Sequence, residues 1–119
     1  MTTTSHTEFD CAEFVRVALE WLDTREEPHQ SIDGALELLA NTRRRLFLEV
    51  MCTYEQQLTL PDAAEEVAIR ETGRSMTDLS AERVANVYIS LYHDHLPRLV
   101  DAGLIEYDQE RDLVSPAQI

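Results

Sequence analysis

The hydrophobic positions form a succession of helical stripes that gives way to a two-residue alternation near the C-terminus. From Thr7 to about Asp23, Cys11, Phe14, Ala18, Trp21 and Leu22 recur every three or four residues, the period that lines one face of an α-helix. Thr7 followed by Asp10 resembles a capping box at its start. Thr24 to Gln30 is charged and contains Pro28, so it reads as a linker that makes the first helix an appendage. Ser31 is placed to cap a second helix with Ile32, Leu36 and Leu39 on one face. Asn41 and Thr42 interrupt it before a third, from about Thr42 to Tyr54, which is expected to bury Leu46 or Phe47 together with Val50, Met51 and Tyr54. Leu58-Thr59-Leu60 is a short extended piece. Pro61 then suits the first turn of a fourth helix ending near Gly73, with Ala63, Ala64, Val67 and Ala68 facing inward. Asp62, Glu65 and Glu66 fit its positive N-terminal end.

Ser80 caps the longest helix, in which Val84, Tyr88, Leu91, Tyr92, His95, Leu96 and Leu99 follow one stripe up to Gly103. Pro97 has no N–H and fixes its own φ, so a bend or a new turn is expected near His95. The period then changes. Leu104-Ile105-Glu106-Tyr107 alternates, Asp108 to Arg111 is a polar turn, and Asp112-Leu113-Val114-Ser115 returns as a partner strand. The pattern predicts a mainly α chain closed by a small β-hairpin.

A length of 119 residues bounds the chain to one domain plus one extra helix, and 44% hydrophobic residues allow it a core. There is no apolar run of 18 residues to cross a membrane. The N-terminus lacks the basic and apolar regions of a secretory signal, so residues 1–6 read as a disordered leader and the expected compartment is cytoplasmic. Charge changes the picture more. The chain has 23 acidic and 10 basic residues, a net charge of -13, and all ten basic residues are Arg. Acid excess without Lys suits a protein kept soluble in molar salt, where the Debye length is about 3 Å and fixed carboxylates barely repel. A GC-rich genome would replace Lys by Arg without explaining the acid excess. Cys11 and Cys52 lie far apart on apolar stripes and are expected to be buried free thiols; no metal site is expected. His93 and His95, two apart on a helix, point to different faces, one inward with a Tyr or backbone hydrogen bond and the other exposed. No phosphate loop, nucleophile elbow or HExxH occurs, so neither catalytic residues nor a cofactor are expected.

The order of elements, with Leu96, Leu99, Ala102, Gly103, Leu104 and Ile105 at the end of the long helix, resembles a winged helix-turn-helix domain. LLANTRRRLFLEVM (38–51) is similar to a helix of bacterial and archaeal winged-helix repressors. RVANVYISLYHDHLPRLVDAGLIEYD (83–108) resembles a haloarchaeal winged helix-turn-helix family of unknown function. The resemblance covers residues 31–115, leaving residues 7–30 as an extra N-terminal amphipathic helix with its linker and 116–119 as a tail. It implies a DNA-binding transcriptional regulator whose helix 80–96 enters the major groove beside the wing 104–115.

On that plan the outward stripe of the long helix is Arg83, Asn86, Ser90 and His93, with Asp94 at its edge, an inventory suited to base edges and phosphates. Arg43, Arg44 and Arg45 form the basic cluster. They occupy a helix's first turn, where each positive charge costs about 0.3–1 kcal/mol. Phosphate contact would explain them, and so would pairing with carboxylates such as Glu37 and Glu49. Arg111 at the wing turn is a further backbone-contact candidate. Phe14, Val17, Trp21 and Leu22 give the first helix more apolar surface than an appendage needs, which points to a homodimer. The alternative is a protein-interaction module without DNA binding, favoured by Glu82 and Asp94 beside the candidate readout residues. The charge alone yields one test: helical circular dichroism should rise as KCl goes from millimolar to molar, and equal helicity and stability in dilute buffer would contradict adaptation to salt.

Overall fold

The computed structural model describes residues 9–26, 29–117 and 119. The chain divides into a small N-terminal unit ending at Ile32 and a larger unit, Asp33–Ile119. The expected leader, Thr7 and Pro28 lie outside the described residues.

Helix α1 (Cys11–Asp23) starts at Asp10, whose side chain accepts from the Glu13 N–H at 3.0 Å. It ends where Thr24 Oγ1 donates to the Trp21 carbonyl and Arg25 lies 4.1 Å over the indole ring. None of its residues is buried. Helix α2 (His29–Leu39) begins two residues before Ser31, so Ser31 is an interior residue and not the cap. Its Ile32, Leu36 and Leu39 face is only half-buried at Ile32. Leu36 and Leu39 are 50% and 45% exposed, and Leu38 is the side chain that meets the core.

The larger unit is built around α3 (Thr42–Tyr54), α4 (Leu60–Thr72) and the long helix, which runs as α5 (Ala81–Ser90), a π-helical turn Leu91–His95, and α6 (Leu96–Asp101). Asn41 caps α3 by accepting from the Arg44 N–H; Thr59 caps α4 and Ser80 caps α5 in the same way. From α3, Phe47, Val50 and Met51 are fully buried. Tyr54 is exposed, and its hydroxyl donates to Glu66 instead of entering the core. Ala63, Ala64 and Ala68 line the buried side of α4, and such small side chains let its backbone approach both neighbouring helices. Both cysteines are exposed, which corrects the expectation of buried thiols. Cys11 sits on a helix that buries nothing, and Cys52 falls on the solvent side of α3 next to buried Met51.

Pro97 explains the π turn. Its ring would meet the carbonyl four residues back, and the widened turn relieves that contact while the chain stays helical. The wider turn delivers both His95 and Leu96 to the core side.

Gly103, at φ 78°, closes α6, and the chain enters β2 (Ile105–Asp108) and β3 (Leu113–Pro116). These strands pair antiparallel, Ile105 with Pro116 and Asp108 with Leu113. The sheet has a third strand: β1 (Leu58–Thr59) joins the outer edge of β3 in the order β1-β3-β2. Pro116 thus belongs to the sheet, not to a tail, and Ala117 still donates to the Leu104 carbonyl. The protein is therefore mainly α with a small β-hairpin wing, a winged helix-turn-helix arrangement with an extra N-terminal amphipathic helix.

Asp112, at the end of the wing turn, ties the wing down. It holds a left-handed backbone (φ 55°), which Asp adopts more readily than most residues. Its carboxylate accepts from Tyr88 of α5 at 2.8 Å and Tyr107 of β2 at 2.5 Å, and its carbonyl accepts from Leu60 at the start of α4. Tyr92 stacks parallel to Tyr88 and meets Tyr107 edge-on. Burial and the Asp112 carboxylate both raise the Tyr107 hydroxyl's pKa, and the hydrogen bond to Asp112 raises that of Tyr88. Asp112→Asn should cost about 1–2 kcal/mol, since one hydroxyl loses a charged acceptor. Tyr107→Phe combined with it should add little, because the two changes remove the same contact. Urea unfolding in KCl measures both; strictly additive losses would show that the network is not coupled.

Candidate nucleic-acid interface

The helix-turn-helix consists of α4, the turn from Gly73 to Ser80, and α5. Gly73 adopts φ 70° to close α4, and no atom lies within 4 Å of where a Cβ would sit, so glycine is required here by backbone conformation and not by space. Ser75 Oγ reaches Thr77 and Asp78 at 3.0 Å, bracing a 3₁₀ turn over Met76–Asp78. Ser80 then releases α5 with its first turn open to solvent.

On α5 and the π turn, Arg83, Asn86, His93 and Asp94 are exposed as the spacing predicts, and Glu82 and Ile89 are exposed with them. Ser90 is the exception. It is half-buried and shares a polar cleft with Arg43, Glu71, Asp94 and His95, so it is turned away from the centre of the outward stripe. Val87 is fully buried, a core position that the stripe through Val84 and Tyr88 did not include.

The arginine cluster makes contacts within the fold. Arg44 is buried, with Nε donating to the Leu38 carbonyl at 2.7 Å and a terminal nitrogen donating to Glu37 at 3.1 Å. Arg45 donates to the Leu39 carbonyl. These carbonyls lie at the C-terminus of α2, its negative end, so the charges that oppose the α3 dipole favour the α2 dipole. Arg43 forms a two-point ion pair with Glu71 in the last turn of α4, at 2.5 and 2.9 Å. Neither expected carboxylate takes part: Glu37 contributes its backbone carbonyl, and Glu49 pairs with Arg70. Arg44 in particular is not available to a phosphate, because its guanidinium is enclosed and its withdrawal would take a donor from the Leu38 carbonyl.

Most of the other arginines are also engaged. Arg16 faces Glu20, and Arg98 donates to the Asp94 carbonyl. Arg111, at the wing turn, is 75% exposed with only a 3.8 Å approach to Asp108. Among the described residues, Arg74 and Arg83 are the two guanidinium groups with neither an ion pair nor a hydrogen bond. Arg74 lies in the turn and Arg83 in the first turn of α5. Sequence reasoning did not single out Arg74; its place just after the helix-closing Gly73 was the available signal.

Beside this face runs an apolar groove of about 620 Å³ between the start of α4, the 3₁₀ turn and α5. Met76, Ala81, Ala85 and Ile89 contribute to it, with Ile89 53% and Met76 46% exposed. It was not foreseen, because Ala81, Ala85 and Ile89 lie four apart on the flank next to Val84 and Tyr88, which line the groove with them.

His95 is 6% exposed, and its Nδ1 meets no hydrogen-bond partner among the described residues. It is the inward histidine of the pair, yet the expected bond to Tyr or backbone through Nδ1 is not made. His93 instead stays outside, edge-on to Tyr92. Burial lowers the His95 pKa below its ordinary 6.5, and the nearby Arg44 lowers it further, against a raising effect of Asp94. Among the described residues no group of His, Cys, Asp and Glu could hold a metal ion, and no helix is long and apolar enough to cross a membrane.

Residues 36–115 match a family described as a domain of unknown function, DUF7344, and the chain belongs to that family. No curated protein and no solved structure matches it.

The buried His95 sets a pH dependence. Above pH 6.5 neither state protonates it; below 6.5 the unfolded chain binds the proton and the folded chain resists, so stability falls as pH drops. The urea midpoint of the natural chain should therefore fall more steeply from pH 7.5 to 5.5 than that of His95→Gln. Parallel profiles would show that His95 is not held neutral.

Proposed function

We propose that this chain is a DNA-binding transcriptional regulator of a halophile's cytosol, without catalytic activity or cofactor. It lays α5 in the major groove, with the β2–β3 hairpin as the wing. The observation that carries the reading is the allocation of cations. In a chain of net charge -13, the two arginines left without a partner among the described residues flank the start of the candidate recognition helix. Arg74 and Arg83 are placed for phosphates, with Arg83 also in reach of a base edge in the first turn. Asn86 and His93 supply donors and acceptors for base reading. Phosphate contact by Arg44 is not part of this proposal, and Arg43 and Arg45 serve the α2–α3 junction.

An acidic protein on a polyanion works against long-range repulsion, which molar salt screens to within about 3 Å. Binding should consequently strengthen or hold steady as KCl rises from dilute to molar, the reverse of ordinary counterion release.

A second reading has its own observation. The groove edged by Met76 and Ile89 beside α5 fits an apolar side chain of a protein partner, and then the domain is an interaction module.

Selection of duplexes from a random pool at molar KCl separates the two. Asn86→Ala or His93→Ala should relax sequence preference by about 1–3 kcal/mol at single base pairs, whereas Arg74→Ala should weaken all duplexes alike. No enrichment of any duplex, with Ile89→Asp abolishing capture of a protein, would overturn the regulator reading.

A further inference from the structure

Two apolar faces of this chain lie open at once. In α1, Glu13, Arg16, Glu20 and Asp23 gather in one sector, and every other position is apolar. At 3.6 residues per turn, more than half of the circumference is therefore apolar. No residue of α1 is buried, and Phe14, Val17, Leu19 and Trp21 are each more than half exposed. In α2, Leu36 and Leu39 are about half exposed and half-buried Ile32 continues their stripe, on a different flank from Leu38. The end of that stripe is fixed in place, since Arg44 and Arg45 of α3 grip the carbonyls of residues 37–39.

We infer that the occupant of each face is a second copy of this chain: α1 of one copy packs on the Ile32, Leu36 and Leu39 stripe of the other, reciprocally about a two-fold axis. Three observations select a second copy over another partner. The donor and acceptor faces lie on the same chain, so one two-fold operation covers both, as an isologous dimer requires. Seven large apolar side chains of α1 and α2 are 44–59% exposed in each copy, and one two-fold axis would bring both sets into a single interface. The acidic side chains of α1 lie outside the apolar arc, so two negatively charged chains meet there without burying carboxylates. The inference does not depend on DNA binding, and its readout is the state of association alone.

The test is sedimentation equilibrium of the full chain in molar KCl, with Trp21 fluorescence as a second signal, since it is the only tryptophan. The natural chain should be a dimer at micromolar concentration with blue-shifted Trp21 emission. Phe14→Glu spoils the donor face and Leu36→Glu the acceptor face, each weakening association about a hundredfold or more. Both positions are exposed, so circular dichroism should show unchanged helix. Mixing the two variants should restore a heterodimer, because the intact α1 of one fits the intact α2 of the other. A natural chain that stays monomeric, with α1 folded onto its own α2, overturns the inference. A dimer that survives both substitutions, or variants that fail to pair on mixing, overturns it as well.

Discussion

The Asp112 carboxylate joins the wing to the helix that it flanks, through two tyrosine hydroxyls that come from different elements. Tyr88 fixes the rotation of α5, Tyr107 fixes β2, and the Asp112 carbonyl holds the first N–H of α4. Both helices of the helix-turn-helix are thereby referred to one residue at the base of the hairpin. The left-handed backbone at Asp112 sets where β3 begins, and the register with β2 and the pairing with β1 follow from it. A network of this kind polarises its members, so its hydrogen bonds strengthen one another in a half-buried setting. The outward face of α5 is presented at a fixed angle to the wing because these contacts are shared.

The second organising constraint is a shortage of positive charge. Ten arginines serve 23 carboxylates, and the fold spends the clustered ones internally. Arg44 and Arg45 satisfy the end of α2, and Arg43 and Arg70 tie α3 to α4 through Glu71, Glu49 and Thr53. His95 stays neutral in the same neighbourhood, where a further cation beside Arg44 would be opposed. Among the described residues, the guanidinium groups left without a hydrogen bond or ion pair are Arg74 at the turn and Arg83 at the helix start, and Arg111 at the wing turn is held only by its long approach to Asp108.

Most helices were legible because their caps and breakers are local: Asn41, Pro61, Gly73 and Ser80 each act within a turn of themselves, although the Thr59 cap was read only as extended chain. The hairpin was legible for the same reason, through its period of two. The role of Arg44 was not, because its acceptors are the main-chain carbonyls of another helix, which no side-chain pattern marks. The orientation of α2 misled for a related reason: Ile32, Leu36 and Leu39 form the better stripe, yet the grip on the helix end turns Leu38 to the core. Cys52 and Tyr54 were misplaced at the end of α3, where the choice between two adjacent faces rests on Phe47 and Met51 filling the interior first. At the candidate interface, Arg83, Asn86 and His93 were readable from helical spacing. Arg74 and the Ile89 groove were not, since they depend on how the turn folds beside α5.

The most direct test of a DNA-reading face on α5 is an NMR titration of the isotope-labelled chain with its selected duplex in molar KCl. The account predicts shift changes at Arg74, Arg83, Asn86, Ile89 and His93, with Arg111 of the wing joining them and the buried Arg44 unmoved. Shifts confined to α1, α2 or the Arg43–Glu71 cleft, or no shifts at any duplex concentration, would contradict it.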